Sequence, residues 1–166
     1  ALWTDPNPEF AGKYTNFGRV QFEPKPVSKP HPPIWVGGES GPSLRRVARY
    51  GDAWYPVSNN AAVPLNTPAL LAEGVARMRR SCERHGRDPA EVGVAYVWFM
   101  PPSWKARELP EGGRQMFSGS ADDMLEDAAA LKAIGVKHCI LYLQRPTIEQ
   151  TMDLTERFAE DVLRRL

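Results

Sequence analysis

The chain has almost no charge imbalance: 21 basic residues stand against 20 acidic ones, for a net charge of +1 over 166 residues. A dedicated nucleic-acid binder carries a basic excess or a basic stripe, so that class is not indicated. No apolar run approaches the ~20 residues that a membrane span needs. The first residues do not read as a basic-then-apolar leader. Cysteine is scarce, with only Cys82 and Cys139. Two cysteines make no disulfide framework. Both are expected as buried core thiols in a reducing, cytoplasmic setting. Histidine is scarcer than a metal site needs: His31, His85 and His138 are scattered and no pair has ligand spacing. No metal is expected.

What is present is an ordinary globular mixture, 42% hydrophobic and 25% charged, long enough for one domain with a real core. The chain starts at Ala1, and "ALW" reads as the last turn of an interrupted helix. Residues 9–22 place Gly12 and Asn16-Phe17-Gly18 among aromatic and aliphatic residues, with Val20 and Phe22 alternating with polar neighbours, which predicts a short β-hairpin. Pro24, Pro26, Pro30, Pro32 and Pro33 follow and deny the next segment both helix and central strand. It reads as a rigid connector.

Beyond it the periodicity alternates. Ile34–Val36, Ala53–Val57, Val92–Met100 and His138–Leu143 are apolar runs of strand length. The continuous rather than alternating apolarity of Ile34–Val36 predicts burial on both faces, as in a parallel sheet. Between them lie helical patterns. Leu44, Val47 and Ala48 form one apolar stripe that stops at Gly51. Leu71, Val75, Met78 and Cys82 form a second, after an N-cap at Thr67 and Pro68. A third starts at a capping box, Ser120 to Asp123, and closes at Gly135. Asp122, Asp123, Glu126 and Asp127 crowd its first turns, so they read as complements to the helix dipole rather than as metal ligands. Leu154, Phe158, Val162 and Leu166 mark a final helix. Arg77, Arg80 and Arg84 read as a solvated helix side. The order is a hairpin, then β-α-β-α-β-α-β-α. This is an α/β protein with a parallel sheet, either a small open doubly wound sheet or a stretch of a (β/α)8 barrel.

In such folds ligands sit at the carboxyl ends of the strands. Gly37-Gly38 occupies one such end, directly before a helix N-terminus, with Ser40 as a possible hydroxyl donor. From the dipeptide alone, an anion or phosphate site and a tight turn without a ligand are equally open. It is not the G-x-G-x-x-G fingerprint. Ser40, Ser58 and Ser118 lack a nucleophile-elbow context. Asp52 and Glu91 precede strands, at the wrong end of the sheet for catalysis. Trp35, Trp54, Tyr55, Tyr96 and Trp98 lie in strands. Trp104, on the long loop 101–118 after the third strand, is the candidate lid or substrate contact.

The pieces together carry a resemblance. Phe10, Gly12, Lys13 and Tyr14 of "FAGKY", then "PKPVSKPHPPIWVGG", "RRVARYGDAW", "GRDPAEV" and "GVKHCILYL" resemble the luciferase-like monooxygenase family across essentially the whole chain. Ala53 departs from the glycine that many members carry before Trp54. The resemblance implies the (β/α)8 TIM-barrel family, with this chain covering about half a barrel: strands five to eight, parallel, preceded by a β-hairpin insertion. It implies one domain over residues 1–166, with a hairpin and proline-rich connector at 1–33 and four β/α units at 34–166. By the same resemblance Val36, Gly37, Gly38 and Ser40 look like a cofactor-phosphate cradle, Val57 and Ser58 look like further cofactor-side positions, and the cofactor is coenzyme F-420 or FMN. FMN activates oxygen; the deazaflavin transfers hydride. The implied function is an oxidoreductase or monooxygenase acting on a small organic substrate, with a possible separate reductase, incomplete in catalysis as this chain alone. No catalytic residue carries over. A homodimer or higher self-association is expected, because half a barrel exposes two strand edges and an apolar inner face. A non-catalytic half-barrel remnant is the rival reading.

Overall fold

A computed structural model describes all 166 residues, and they divide into two compact units, Ala1–Ile34 and Trp35–Leu166. In the first unit, the N–H groups of Thr4 and Asp5 both reach the Ala1 carbonyl, at 3.1 and 2.9 Å, so the chain opens in a turn. The expected hairpin is there but small. Strands β1 (Phe10–Ala11) and β2 (Asn16–Phe17) pair antiparallel, with Phe10 opposite Phe17 and their rings 6.0 Å apart. Val20 and Phe22 fall outside it. Arg19, at φ 56°, turns the backbone out of extended geometry just past β2. The proline segment forms neither helix nor strand.

The second unit carries the alternation. Strands β3 (Trp35–Gly37), β4 (Ala53–Tyr55), β5 (Gly93–Trp98) and β6 (Val136–Leu141) lie in that order in one parallel sheet. Helices α1 (Gly41–Tyr50), α2 (Pro68–Arg84), α3 (Ala121–Ile134) and α4 (Ile148–Asp161) follow each strand in turn. Strictly sequential order has no switch point, and right-handed crossovers then put all the helices on one face. The doubly wound alternative is therefore out.

The caps read from the sequence are in place. Thr67 Oγ1 accepts the Leu70 N–H at 3.2 Å. Ser120 and Asp123 form the reciprocal box, and Gly135, at φ 101°, ends α3 in the left-handed conformation. Gly51 differs: it is extended, at φ −86°, and a Cβ there would lie 3.1 Å from the Val47 carbonyl oxygen and 3.2 Å from Val36. Close packing, not a left-handed turn, requires that glycine. The final helix closes at Asp161 rather than running to Leu166, which is exposed beyond a short 3-10 turn, Leu163–Arg165.

Register separates the two faces. Val36, Trp54, Val94, Tyr96 and Trp98 join Leu44, Val47, Leu71, Val75, Met78, Cys82, Met124 and Leu131 in the core between sheet and helices. The opposite face carries Trp35, Gly37, Ala53, Tyr55, Ala95, Val97, His138 and Ile140. No helix covers it: Trp35 is 42% exposed and Ile140 39%, while the smaller Ala53, Ala95 and Val97 between the edges are buried. The expected two-sided burial therefore fails for β3, because helices cover one face only. Cys139 corrects a second expectation. Cys82 is buried, but Cys139 is exposed, since it lines the open groove between α3 and α4. Strand limits shift too: β6 starts at Val136 and ends at Leu141, and β5 stops at Trp98.

Candidate functional site

The carboxyl end of β3 turns into α1 through Gly38, at φ 96°. A Cβ at that position would stand 2.6 Å from Ser43 Oγ, so both conformation and space demand glycine. Ser40 is the N-cap of α1. Its Oγ accepts the Ser43 N–H at 3.3 Å and lies 3.0 Å from Ser43 Oγ, to which Arg46 also donates at 3.1 Å. Pro42 brings no N–H, and that of Ser43 is taken. The Gly41 N–H, at the positive end of the helix dipole, is left for something outside the chain.

Gly37 and Gly41 are different from Gly38. Neither has a positive φ. A Cβ on Gly37 would meet nothing nearer than the Tyr55 carbonyl oxygen at 3.6 Å, and one on Gly41 would meet nothing within 4 Å. The fold itself requires glycine at neither position. Both leave bare backbone at the rim of the sheet.

A residue the sequence reading missed holds this turn. Glu39 is 5% exposed. Its Oε1 accepts the Val57 N–H at 3.0 Å and its Oε2 accepts Asn60 Nδ2 at 2.6 Å, tying the β3–α1 turn to the segment after β4. Trp54 Nε1 donates to the Gly38 carbonyl at 2.9 Å. Next in the series, the Ser58 N–H reaches the Val97 carbonyl at 2.9 Å, and Ser58 Oγ accepts the Phe99 N–H at 3.1 Å. Three consecutive strand ends are thus laced together. The only hint of Glu39 in the sequence is an acidic residue between a glycine and an N-cap.

The structure brings Gly37, Gly38, Ser40 and Val57 to one rim. Val57 bridges to Val97 on the uncovered face. The Val36 side chain points the other way, into the helix layer, so only its backbone borders the turn. Ser58 is buried, a brace beneath the rim. Trp104 stands apart from them. It is half-buried against the core, with the Arg157 guanidinium 4.0 Å from its ring centroid and its indole Nε1 buried without a partner.

The uncovered face is aromatic. The Trp35 ring lies 5.6 Å from Tyr55 and 5.2 Å from His138, and that of Phe99 lies 6.1 Å from Tyr142, centroid to centroid. Tyr142 donates to Gln144 Oε1 at 2.6 Å. The loop before α3 is pinned separately. Arg114 makes a fork to Asp127, Nη1 to Oδ2 at 2.8 Å and Nη2 to Oδ1 at 2.9 Å, and also donates to the Ser118 carbonyl at 2.7 Å. Asp127 Oδ2 takes the Phe117 N–H as well. Hydrogen bonding to Asp127 raises the Arg114 pKa above its usual value. Asp127 is therefore no dipole complement; it is the buried anchor of loop 101–118. Asp123 does cap α3, and its bonds to Ser120 hold its carboxyl below the usual range.

A model of the luciferase-like monooxygenase family matches residues 1–108. The chain belongs to that family. Among curated relatives, the FMNH2-dependent dimethylsulfone monooxygenase of Pseudomonas putida is 35% identical over 60 residues, 36% of this chain and 16% of that protein. A pyrimidine monooxygenase of Enterobacter cloacae is 30% identical over 122 residues, 74% of this chain and 31% of that protein. An uncharacterized protein of Mycobacterium tuberculosis is 29% identical over 131 residues, 78% of this chain and 43% of that protein. The chain spans less than half the length of these relatives. Two solved structures share its fold. An F-420-dependent secondary alcohol dehydrogenase superposes with a TM-score of 0.65 at 16% identity, over 97% of this chain and 58% of that one. The coenzyme F-420-dependent tetrahydromethanopterin reductase of Methanopyrus kandleri superposes at 0.66 and 13%, over 99% of this chain and 59% of that one. No helix is long and apolar enough to cross a membrane.

Proposed function

We propose that this chain is the second half of a flavin- or deazaflavin-dependent oxidoreductase of the luciferase-like family, acting on a small organic substrate. In this reading β3 to β6 are strands five to eight of a (β/α)8 barrel. Residues 1–33 are the hairpin and connector inserted before them, and residues 34–166 are the four β/α units. Support comes from the sequential parallel sheet with helices on one face, and from full coverage of this chain against little more than half of its solved neighbours.

The observation that carries the cofactor reading is the pair of glycines the fold does not need. Gly37 and Gly41 leave backbone bare on either side of Gly38 and Ser40, at a helix N-terminus with a free Gly41 N–H. A phosphate fits that donor set. FMN ends in a phosphate and coenzyme F-420 carries one as a diester within its side chain, and relatives and neighbours are named for one or the other. When bound, either supplies the redox chemistry, hydride transfer in both cases and oxygen activation for FMN. The chain's own part is binding and orientation. Gly37, Gly38 and Ser40, with the Val36 backbone, hold the phosphate end. Glu39 and Trp54 keep the turn rigid. Val57 borders the cofactor side, and Ser58 fixes the Phe99 backbone. Trp104, with its unpartnered indole N–H, belongs to the substrate-side loop. Reduced FMN would come from a separate reductase. The four strands supply half of a ring pocket, so this chain alone is incomplete in catalysis. Its unpaired thiols agree with a cytoplasmic location.

The test is phosphate-specific binding. Amide resonances of Gly37 to Gly41 are expected to move on addition of FMN and not of riboflavin, which lacks the phosphate. Equal shifts with both, or none with millimolar FMN or F-420, overturn the cradle. The second outcome favours the rival reading, a non-catalytic half-barrel module, for which the uncovered sheet face speaks.

A further inference from the structure

We infer that two copies of this chain close into one eight-stranded parallel barrel, each copy covering the other's open sheet face. This rests on the half-barrel part of the reading above and is independent of its cofactor part.

Parallel sheets are normally covered on both faces. Here one face is left open, and its exposed residues are large and contiguous rather than scattered: Trp35 is 42% exposed, Phe99 37%, Ile140 39% and Tyr142 42%. The sheet is also curled towards that face. Strands β3 and β6 are three spacings apart, ~14 Å in a flat sheet. Yet the rings of Trp35 and His138, one from each edge, approach to 5.2 Å. The inner side chains converge as they do inside a barrel wall.

Both edges are unpaired. β3 pairs only with β4, and β6 only with β5. A two-fold axis along the trough sets β6 of each copy beside β3 of the other. Rotation about an axis running along the strands preserves their direction, so both new ladders are parallel, like the three already present. Eight strands is also the number at which inward side chains just fill a barrel. The contact is isologous and closed, so assembly stops at two. Shape, strand direction and count thus name a second copy as the occupant, with no third component required. The four inner side chains would hide roughly 300 Å² of apolar surface per copy. The two strand edges and the helices flanking them must bring this towards the ~800 Å² per partner of a stable interface. A second apolar surface, the groove lined by Leu125, Phe158, Leu163 and Leu166 between α3 and α4, meets β6 on its helix-side face through Cys139 and Leu141 and does not reach the edge of β3. In the closed barrel both Gly37-Gly38 turns open on the same rim.

Light scattering after gel filtration of the 166-residue chain tests this, with hydrogen exchange on the same samples. The expected mass is twice 18.6 kDa, with Val136–Leu141 amides gaining protection as concentration rises to about 200 µM. Trp35→Lys and, independently, Ile140→Lys are expected to weaken association by roughly 100-fold while far-UV circular dichroism is kept. Leu163→Lys, on the other apolar surface, is expected to leave the dimer intact. A monomer at the highest concentration, an open-ended series of oligomers, or a dimer broken by Leu163→Lys and not by the sheet-face variants overturns the inference. A dimer that ignores FMN would sink the cradle and leave the pairing standing. A monomer with phosphate-dependent shifts would do the reverse.

Discussion

Three glycines within five residues allow the same substitution to give opposite results. In Gly38→Ala the new Cβ meets two penalties at once. The backbone is at φ 96°, which costs a non-glycine residue about 1–2 kcal/mol. The Cβ also falls 2.6 Å from Ser43 Oγ, which is bonded to Ser40 and Arg46, so relief breaks the N-cap network and adds about 1 kcal/mol. The sum is a loss of about 2–3 kcal/mol. Gly37→Ala meets only an ordinary contact, 3.6 Å from the Tyr55 carbonyl oxygen. It also reduces the freedom of the unfolded chain, a gain of about 0.4–1 kcal/mol where the native backbone suits alanine. Gly41→Ala meets nothing and sits at the first position of α1, so it is neutral or slightly stabilising. Urea melts followed by circular dichroism give the three midpoints at unchanged slope. The order expected is Gly38→Ala well below wild type, with the other two at or above it. In the FMN titration, all three lose the phosphate-dependent shifts. If Gly37→Ala destabilises by more than about 1 kcal/mol, then the fold does need that glycine. The case for a ligand-facing cradle then fails.

Asp127→Ala removes three acceptor bonds and leaves the Arg114 guanidinium, about a quarter exposed, with only its looser 3.5 Å pair to Asp123. A loss of about 2–3 kcal/mol is expected in a urea melt, below the full cost of breaking a buried pair because Arg114 keeps some water. Early proteolysis within loop 101–118 should accompany it. Arg87→Ala removes a cap on the end of α1, where Nη1 reaches the Gly51 carbonyl at 2.6 Å and the Val47 carbonyl at 3.3 Å, and should cost about 1.5–3 kcal/mol. Maleimide labelling of the native protein should modify Cys139 and spare Cys82. Although the residue is accessible, its sulfur lies against the apolar α3–α4 groove, and that burial pushes the thiol up to about 11. Only the thiolate reacts, so the rate should climb about tenfold per pH unit between 7 and 10. A rate that levels off near pH 8.5 would show an unburied sulfur.

Local signals were legible and long-range ones were not. Thr67 and Ser120 announced two helix starts, because an N-cap bonds an amide three residues on and both partners sit in one short window; Ser40, read only as a hydroxyl donor, is a third such cap. The glycine at the end of β3 was legible for the same reason. Glu39 was not: its partners Val57 and Asn60 lie 18 and 21 residues away, across helix α1 and strand β4. Asp127 misled, since an acid in the second turn of a helix looks like a dipole complement until Arg114 is seen to reach it from the loop. Gly51 marked a true helix end for a different reason, the close approach of Val36. The aromatic character of strand sequences was visible, but not which face each ring takes. Trp35 and Trp54 differ by a single register step, and one is exposed while the other is fully buried.

The contacts around the turn after β3 and those on the open sheet face differ in kind. Everything that shapes the turn after β3 comes from residues 36 to 97: Trp54 on the Gly38 carbonyl, Glu39 on Val57 and Asn60, Arg87 on the end of α1, and Ser81 Oγ on the Leu44 carbonyl at 3.2 Å. The turn is therefore held without help from any strand beyond β5, so the proposed phosphate would meet a turn that is already ordered. The uncovered face has the opposite character. Trp35, Tyr55, His138, Phe99 and Tyr142 line a sheet face that no helix of the chain covers. A group anchored at one end and unenclosed at the other is bound with weak affinity and no exclusion of water, and water exclusion is what redox chemistry at a planar ring requires. Closing the barrel is thus the step that would turn an anion site into a cofactor site. For that reason Trp35→Lys, which touches no part of the turn, is expected to leave the phosphate-dependent shifts of Gly37 to Gly41 intact while abolishing any preference for FMN over a simple phosphate monoester. Loss of the phosphate shifts themselves in that variant would show that the turn is not self-sufficient.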